Sequence, residues 1–235
     1  MSNYADYVPS TLRDVQDRIK KACLKCGRSA DEVTLVAVSK THPIEAIHIA
    51  LEQGQLHFGE NRVQDLTEKM NAFDSHSDIE WHMIGTLQTN KIKYMASRVN
   101  WIHSVPKLKA LKKIEKRAAQ EKRVIKVLIQ VNISDEDQKS GCDPADVPKL
   151  IESAEKMEHV KIMGLMGMAT FADNPETVRP EFQLLRKLIE SERQKKYKSA
   201  DLRHLSMGMT NDLEVAIEEG ATMVRIGTAI FGKRD

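Results

Sequence analysis

The chain has 235 residues, of which 41% are hydrophobic and 30% charged, a globular balance that fits neither a disordered nor a fibrous polypeptide. Its net charge of +2 is too small to argue for nucleic acid or a membrane surface, and no apolar run reaches the roughly 18 residues of a membrane span. Three cysteines exclude a disulfide framework and suit a reducing compartment, and the opening MSNYADYVPS lacks a basic patch followed by an apolar stretch, so the expected setting is the cytoplasm.

Thr11 to Gly27 predicts an amphipathic helix. Leu12, Val15, Ile19, Ala22 and Cys26 recur at helical spacing, Ser10 or Thr11 can cap it, and Gly27 stops it. The chain then alternates. Thr34 to Ser39 is a short Val-rich run, the pattern of a strand buried on both faces. Pro43 to Gly54 reads as a helix with Pro in its first turn and Gly at its end. His57 to Gly59 is a second strand and Val63 to Phe73 a second helix of this alternation. Glu80 to Ile84 is a third strand, Asn90 to Arg98 a third helix, Trp101 to Ser104 a fourth strand and Lys107 to Gln120 a fourth helix. Val124 to Ile133 is the clearest strand. A polar loop, Ser134 to Asp143, leads to a helix over Pro144 to Met157. Val160 to Met168 is a sixth strand, followed by a helix over Val178 to Arg193. Leu202 to Met207 is a seventh, followed by a helix over Asn211 to Glu219, and Thr222 to Ile226 is an eighth.

Eight strands alternating with helices predict one parallel sheet closed as a (β/α)8 TIM barrel, a single domain over residues 1–235 with an extra N-terminal helix. That helix can fill the outer-ring place of a missing eighth helix. A doubly wound open sheet is the alternative, although open sheets usually have fewer strands.

In a barrel, chemistry sits where strands end. Lys40 follows six largely apolar strand residues and should stand at the mouth of the core. Lysine is rarely buried without a partner or a task, and a neutral amine near other cations is a nucleophile toward aldehydes. A solvated lysine that merely ends a strand is the plainer reading of the position. The last two strands open into Ser206-Met-Gly208 and Gly227-Thr228, where small hydroxyls and glycine backbone can hold a phosphate. Each motif is weak alone. Together, an amine and a phosphate cradle fit a phosphorylated aldehyde such as pyridoxal phosphate.

A set of motifs then carries a resemblance: Val38-Ser-Lys-Thr41, Phe58-Gly-Glu-Asn-Arg-Val-Gln64, Trp81-His-Met-Ile-Gly85, Leu87-Gln-Thr-Asn-Lys91, Leu128-Ile-Gln-Val-Asn132, Lys139-Ser-Gly141, Leu205-Ser-Met-Gly-Met209, Val224-Arg-Ile-Gly227 and Ile230-Phe-Gly232. In order, from about Val33 to Gly232, the chain resembles the pyridoxal phosphate homeostasis protein family, single barrels related to the N-terminal domain of alanine racemase. The resemblance implies pyridoxal 5'-phosphate as cofactor, with Lys40 forming the internal aldimine. It implies that Ser206, Gly227 and Thr228 hold the phosphate, that Arg225 faces the pyridine nitrogen, that Asn61 lies beside the ring, and that Met207 offers a backbone donor. His82 matches a family motif without an assigned contact. Pro106, Thr210 and Ala169-Thr-Phe171 depart from the family pattern.

Arg225 bears on enzyme against carrier. A carboxylate at the pyridine nitrogen keeps it protonated, whereas a permanently charged Arg disfavours that proton and weakens the ring as an electron sink. Two-base racemisation needs a group on each face of the reacting carbon. Alanine racemase draws a tyrosine from a second domain, which is not expected here, and Tyr4, Tyr7, Tyr94 and Tyr197 fall at no strand mouth. The expected function is therefore a non-catalytic carrier in pyridoxal phosphate homeostasis, with no catalytic residue. A minor amino-acid racemase and a cofactor-sensing adaptor are the alternatives. Expected partners are the cofactor and the apoenzymes that need it; a monomer is the expected state and a dimer the alternative.

Other signals carry less. Cys23-Leu-Lys-Cys26 lacks a second pair of zinc ligands and a preceding strand, so two apolar helix positions explain it better. Cys142, in a polar loop, is expected to be exposed and oxidisable. The basic stretch Lys107 to Arg123 keeps Leu108, Leu111, Ile114 and Ala118 at helical spacing and has no aromatics, so its charges mark a solvated face. Met163, Met166 and Met168 read as core filling. The eight histidines form no H-x-x-x-H or H-E-x-x-H pattern, so no metal is expected.

Overall fold

The β-branched and apolar runs form the strands of a computed structural model that describes residues 3–134 and 140–233. Among these residues, β1 (Thr34–Val38), β2 (His57–Glu60), β3 (Glu80–Met83), β4 (Trp101–Val105), β5 (Ile125–Gln130), β6 (Val160–Met166), β7 (Ala200–Ser206) and β8 (Met223–Ile226) pair in parallel, each with the next. β8 closes onto β1, with Leu35 opposite Val224 and Val36 opposite Arg225. Closure selects the barrel over the open sheet.

The helices are α1 (Tyr4–Lys25), α2 (Ile44–Glu52), α3 (Val63–Ala72), α4 (Leu108–Gln120), α5 (Val147–Ala154), α6 (Arg179–Gln194), α7 (Leu213–Glu218) and α8 (Thr228–Phe231). α1 begins seven residues before the expected Thr11 and contains Pro9. Burial of Val8, and the Tyr7 hydroxyl donating to the Phe231 carbonyl at 2.8 Å, draw the segment before the proline into the helix. α1 packs on α2, α7 and α8, the outer-ring place the sequence suggested. The helix expected over residues 90–98 is instead one 3-10 turn (Ile92–Tyr94) with further tight turns. Ile92, Met95, Ala96 and Val99 are all buried, so the helical spacing is real. The backbone bonds of the segment mix spans of three residues, as from Met95 N–H to the Ile92 carbonyl, with spans of four, as from Ala96 N–H to the same carbonyl, so no regular α-helix forms.

Part of the barrel interior is apolar, filled by Trp101, Leu128, Met163, Met166 and Met223, with Met168 partly buried above them. Gly164 lets β6 pass close to β7. Its φ is +150°, and a Cβ there would lie 1.8 Å from the His204 carbonyl oxygen. β6 shifts register against both β5 and β7 beside this residue, an irregularity that only glycine accommodates.

α4 buries Ala110, Leu111, Ile114 and Ala118. Cys23 is buried and Cys26 half-buried, its thiol donating to the Ala22 carbonyl as an apolar helix position would. No group of three or more His, Cys, Asp or Glu among the described residues is placed to hold a metal. No helix there is long and apolar enough to cross a membrane. Lys139, in one of the resemblance motifs, lies outside the described residues.

Cys142 corrects the sequence expectation: it is buried, not exposed. Its segment continues the sheet beyond β5, because Cys142 N–H donates to the Gln130 carbonyl and Asn132 N–H to the Cys142 carbonyl. Burial pushes the Cys142 thiol up to about 12, which removes the thiolate that oxidants and alkylating agents attack. In the folded protein at pH 8, Cys142 should resist a thiol-specific reagent and become reactive only after unfolding. Peptide mapping of the labelled thiols checks this, and labelling of native Cys142 would overturn it.

Candidate functional site

Lys40 is held by its neighbour. Ser39 is fully buried at the end of β1, and its N–H donates to the Gly59 carbonyl at 3.1 Å. The Ser39 carbonyl accepts from His42 N–H at 3.0 Å and from Lys69 Nζ at 2.7 Å. The Ser39 hydroxyl donates to Glu60 Oε1 at 2.7 Å, and Lys69 Nζ donates to the same oxygen at 2.6 Å. Thr41 then takes φ +68°, the left-handed region that non-glycine residues rarely occupy, and turns the chain away. A buried ion pair thus fixes the backbone from which Lys40 projects. Burial pushes the Glu60 carboxyl up while the Lys69 ammonium and the hydrogen bonds pull it down.

Lys40 lines a cavity of about 530 Å³ at the C-terminal ends of the strands. That volume lies in the range of small-ligand pockets. Asn61, Arg225, Gly227 and Thr228 share its walls, so five of the seven expected cofactor residues meet in one place. Asn61 is set by the close approach of two strand ends: a Cβ on Gly85 would lie 2.1 Å from the Asn61 carbonyl oxygen.

Arg225 lies on the cavity floor and is 5% exposed. Its Nη1 donates to Ser206 Oγ at 2.7 Å and its Nη2 to the Gly167 carbonyl at 3.0 Å. Burial lowers its pKa to about 10, partly offset through space by Asp212, so it stays charged at neutral pH. The guanidinium has five N–H donors, and this one presents its charge to the cavity.

The other two expected residues are placed differently. Ser206 is fully buried beneath the cavity, its hydroxyl engaged by Arg225 and by His103 Nδ1 at 2.9 Å. Met207 is fully buried, and its N–H donates to the Met223 carbonyl at 3.1 Å, so that donor is not available to a ligand. Thr210, Asn211 and Asp212 line the cavity instead. In sequence Thr210 is a departure from a motif, and its hydroxyl in the loop after β7 is the one signal that points to this place.

α1 holds both rim loops. Arg18 Nη2 donates to the Thr210 carbonyl at 2.9 Å while its Nε and Nη2 grip Glu214 at 2.7 and 3.0 Å. Thr11 Oγ1 donates to the Ile230 carbonyl at 2.7 Å, and Tyr7 to that of Phe231. His42, also in the cavity wall, lies with Nδ1 3.2 Å from the Tyr4 hydroxyl oxygen. The donor set suits one kind of occupant: an amine for an aldehyde, a buried cationic donor for a ring lone pair, and rim hydroxyls for an anion.

Comparison with known proteins agrees with this chemistry. Residues 13–235 match the family described as alanine racemase, N-terminal domain. The pyridoxal phosphate homeostasis protein of Aquifex aeolicus is 46% identical over 223 residues, 95% of this chain and 96% of that one. That of Escherichia coli strain K12 is 40% identical over 230 residues, 97% of each. Among solved structures, PipY of Synechococcus elongatus with PLP bound superposes with a TM-score of 0.80 at 34% identity, covering 93% of this chain and 100% of that one.

Lys69→Met removes the partner of a carboxylate that is itself fully buried. Removing one member of such a pair typically costs about 3–5 kcal/mol. The loss should shrink as pH is lowered. With its carboxyl pKa raised by burial, the folded form binds the proton more tightly than the unfolded chain, so stability falls as pH rises. Urea unfolding at pH 8 and pH 5.5 checks this; an equal deficit at both would contradict it.

Proposed function

The chain belongs to the pyridoxal phosphate homeostasis protein family, and from that membership we propose that it binds pyridoxal 5'-phosphate and helps maintain its supply, rather than turning over a substrate of its own. The observation that carries the reading is one cavity with an amine at the end of β1 and a buried guanidinium on its floor.

Each residue has a task in this reading. Lys40 holds the aldehyde carbon through its amine, anchored from behind by Ser39, Glu60 and Lys69. Arg225 faces the ring nitrogen as a donor, and Asn61 lies beside the ring. Gly227 and the hydroxyls of Thr228 and Thr210 hold the phosphate at the rim. Ser206 acts one step back, by holding Arg225. The cofactor, when bound, supplies an aldehyde that exchanges between amines and a ring that withdraws electrons.

Arg225 also supports holding over turnover. Its permanent charge disfavours a proton on the ring nitrogen, and without that proton the ring withdraws electrons weakly. None of the described tyrosines lines the cavity, so no phenol opposes Lys40. A second reading, a slow amino-acid racemisation, needs a proton acceptor besides Lys40, and His42 of the cavity wall, in contact with Tyr4, is the candidate. An assay with pure D- and L-amino acids separates the two; turnover that His42→Phe abolishes would favour the second. We place the protein in the cytoplasm as a monomer, with cofactor-requiring apoenzymes as its partners.

Borohydride treatment of the protein loaded with pyridoxal phosphate should fix the label on the peptide carrying Lys40. Lys40→Ala should abolish the covalent label while retaining weak binding through the rim. Mass spectrometry of the digested protein reads both, and a label on another lysine would refute the assignment.

A further inference from the structure

Three histidines climb through the barrel toward the cavity floor. His57 opens β2, and the β2–β3 register sets Gly59 opposite His82. The β3–β4 register sets His82 opposite Trp101, two residues before His103. Each step therefore rises two residues, and strand alternation returns each ring to the same face. The rings touch end to end. His57 Nδ1 lies 3.1 Å from His82 Nε2, and His82 Nδ1 lies 2.9 Å from His103 Nε2. His103 Nδ1 lies 2.9 Å from Ser206 Oγ, which accepts from Arg225 Nη1 at 2.7 Å. His82 and His103 are fully buried, and Trp101 stacks on His82 with an interplanar angle of 4°.

Counting donors gives the chain a direction. Arginine only donates, so Ser206 Oγ accepts from it. The one other side-chain contact of that hydroxyl among the described residues is His103 Nδ1. If the hydroxyl proton goes to Nδ1, His103 carries its own proton on Nε2 and gives it to His82 Nδ1. His82 then carries its proton on Nε2 and gives it to His57 Nδ1. Every proton between Ser206 and His57 has an acceptor. In the opposite sense, His103 would donate to Ser206, and a buried hydroxyl proton would be left without a partner, which is costly.

The favoured sense has an electrostatic consequence. All three rings turn the lone-pair nitrogen toward Arg225 and the N–H away from it. Their dipoles then present the negative end to a cation with no carboxylate in hydrogen-bond contact among the described residues. The rings must be neutral for this. Burial holds His82 and His103 well below the ordinary imidazole value, and the positive charge of Arg225 lowers His103 further. The remaining neighbours are His204 of β7, and Lys126 of β5 with Glu80 of β3 at the His57 end.

We infer that His57, His82, His103 and Ser206 form a one-way hydrogen-bond relay whose aligned dipoles hold Arg225 in place, as a cation, on the cavity floor. His103 and Ser206 are positioning residues in this scheme. The relay deepens the reading of Arg225 as the ring-nitrogen donor, but it is a property of the chain with or without cofactor.

The test uses full-length protein labelled with 15N in histidine and arginine, without added cofactor, at neutral pH. The expected spectrum shows His57, His82 and His103 protonated on Nε2 and bare on Nδ1. Protonation of His82 or His103 on Nδ1, alone or as imidazolium, overturns the relay. The second readout is solvent exchange of the Arg225 Nη protons. His103→Leu removes the acceptor from Ser206 and should speed that exchange about tenfold, the equivalent of about 1.4 kcal/mol. His103→Asn keeps an amide oxygen near the Nδ1 position and should restore slow exchange; equal exchange in the two variants would contradict the scheme. If both variants fail to fold, the wild-type spectrum still decides. Failure of the chain to bind pyridoxal phosphate would alter neither readout, so the two readings fail separately.

Discussion

A guanidinium sits on the cavity floor with only neutral hydrogen-bond partners among the described residues, and much of the architecture answers to that fact. Arg225 ties three strand ends together. Its Nη2 reaches the Gly167 carbonyl after β6, its Nη1 reaches Ser206 at the end of β7, and its own N–H donates to the Gly208 carbonyl. The loops that follow these strands form one wall of the cavity. A charge largely withdrawn from bulk water is stabilised by fixed dipoles, and fixed dipoles require fixed backbone. The same residue therefore supplies the charge of the site and sets the spacing of its walls.

Lys40 and Arg225 are supported by different physics. Behind Lys40 stands an ion pair, Glu60 with Lys69, in contact through Ser39. It includes a carboxylate oxygen, Glu60 Oε2, that lacks a hydrogen-bond partner among the described residues. Behind Arg225 stand neutral imidazoles. The difference follows from what each must do. A full negative charge beside Arg225 would cancel the field it presents to the cavity, whereas aligned neutral dipoles stabilise the cation and leave its net charge intact. The Lys69–Glu60 pair acts on backbone, where local neutrality is no disadvantage.

The sequence made the barrel legible because parallel strands buried on both faces read as apolar runs, and because helices separate them. Lys40 stood out for the same reason, as a charge at the end of Thr34 to Ser39. Residues 90–98 show the limit: helical spacing specifies which side chains are buried, not whether the backbone turns in steps of three or four. Ser206 and Met207 show another. Strand alternation tells which residues share a face, but the depth of a residue along the barrel axis depends on the register between strands, which no single strand encodes. Lys69 was visible in principle, as a charge on the apolar stripe of Val63, Leu66 and Met70. The histidine chain was not, because its members lie on three strands and only the sheet pairing stacks them.

α1 lies outside the barrel and still shapes the site. Arg18 grips the Thr210 carbonyl, while Thr11 and Tyr7 grip the last two carbonyls of α8, so both rim loops are fixed from the outer surface. Loops that move are normally those with few such bonds. The rim after β7 and β8 is held from without and the floor from within, so these parts of the site are set before a ligand arrives. Such a site gains affinity from preorganisation and gives little of it to forcing a ligand along a reaction path. A rim and floor held in this way fit the proposed capture and release of an intact cofactor.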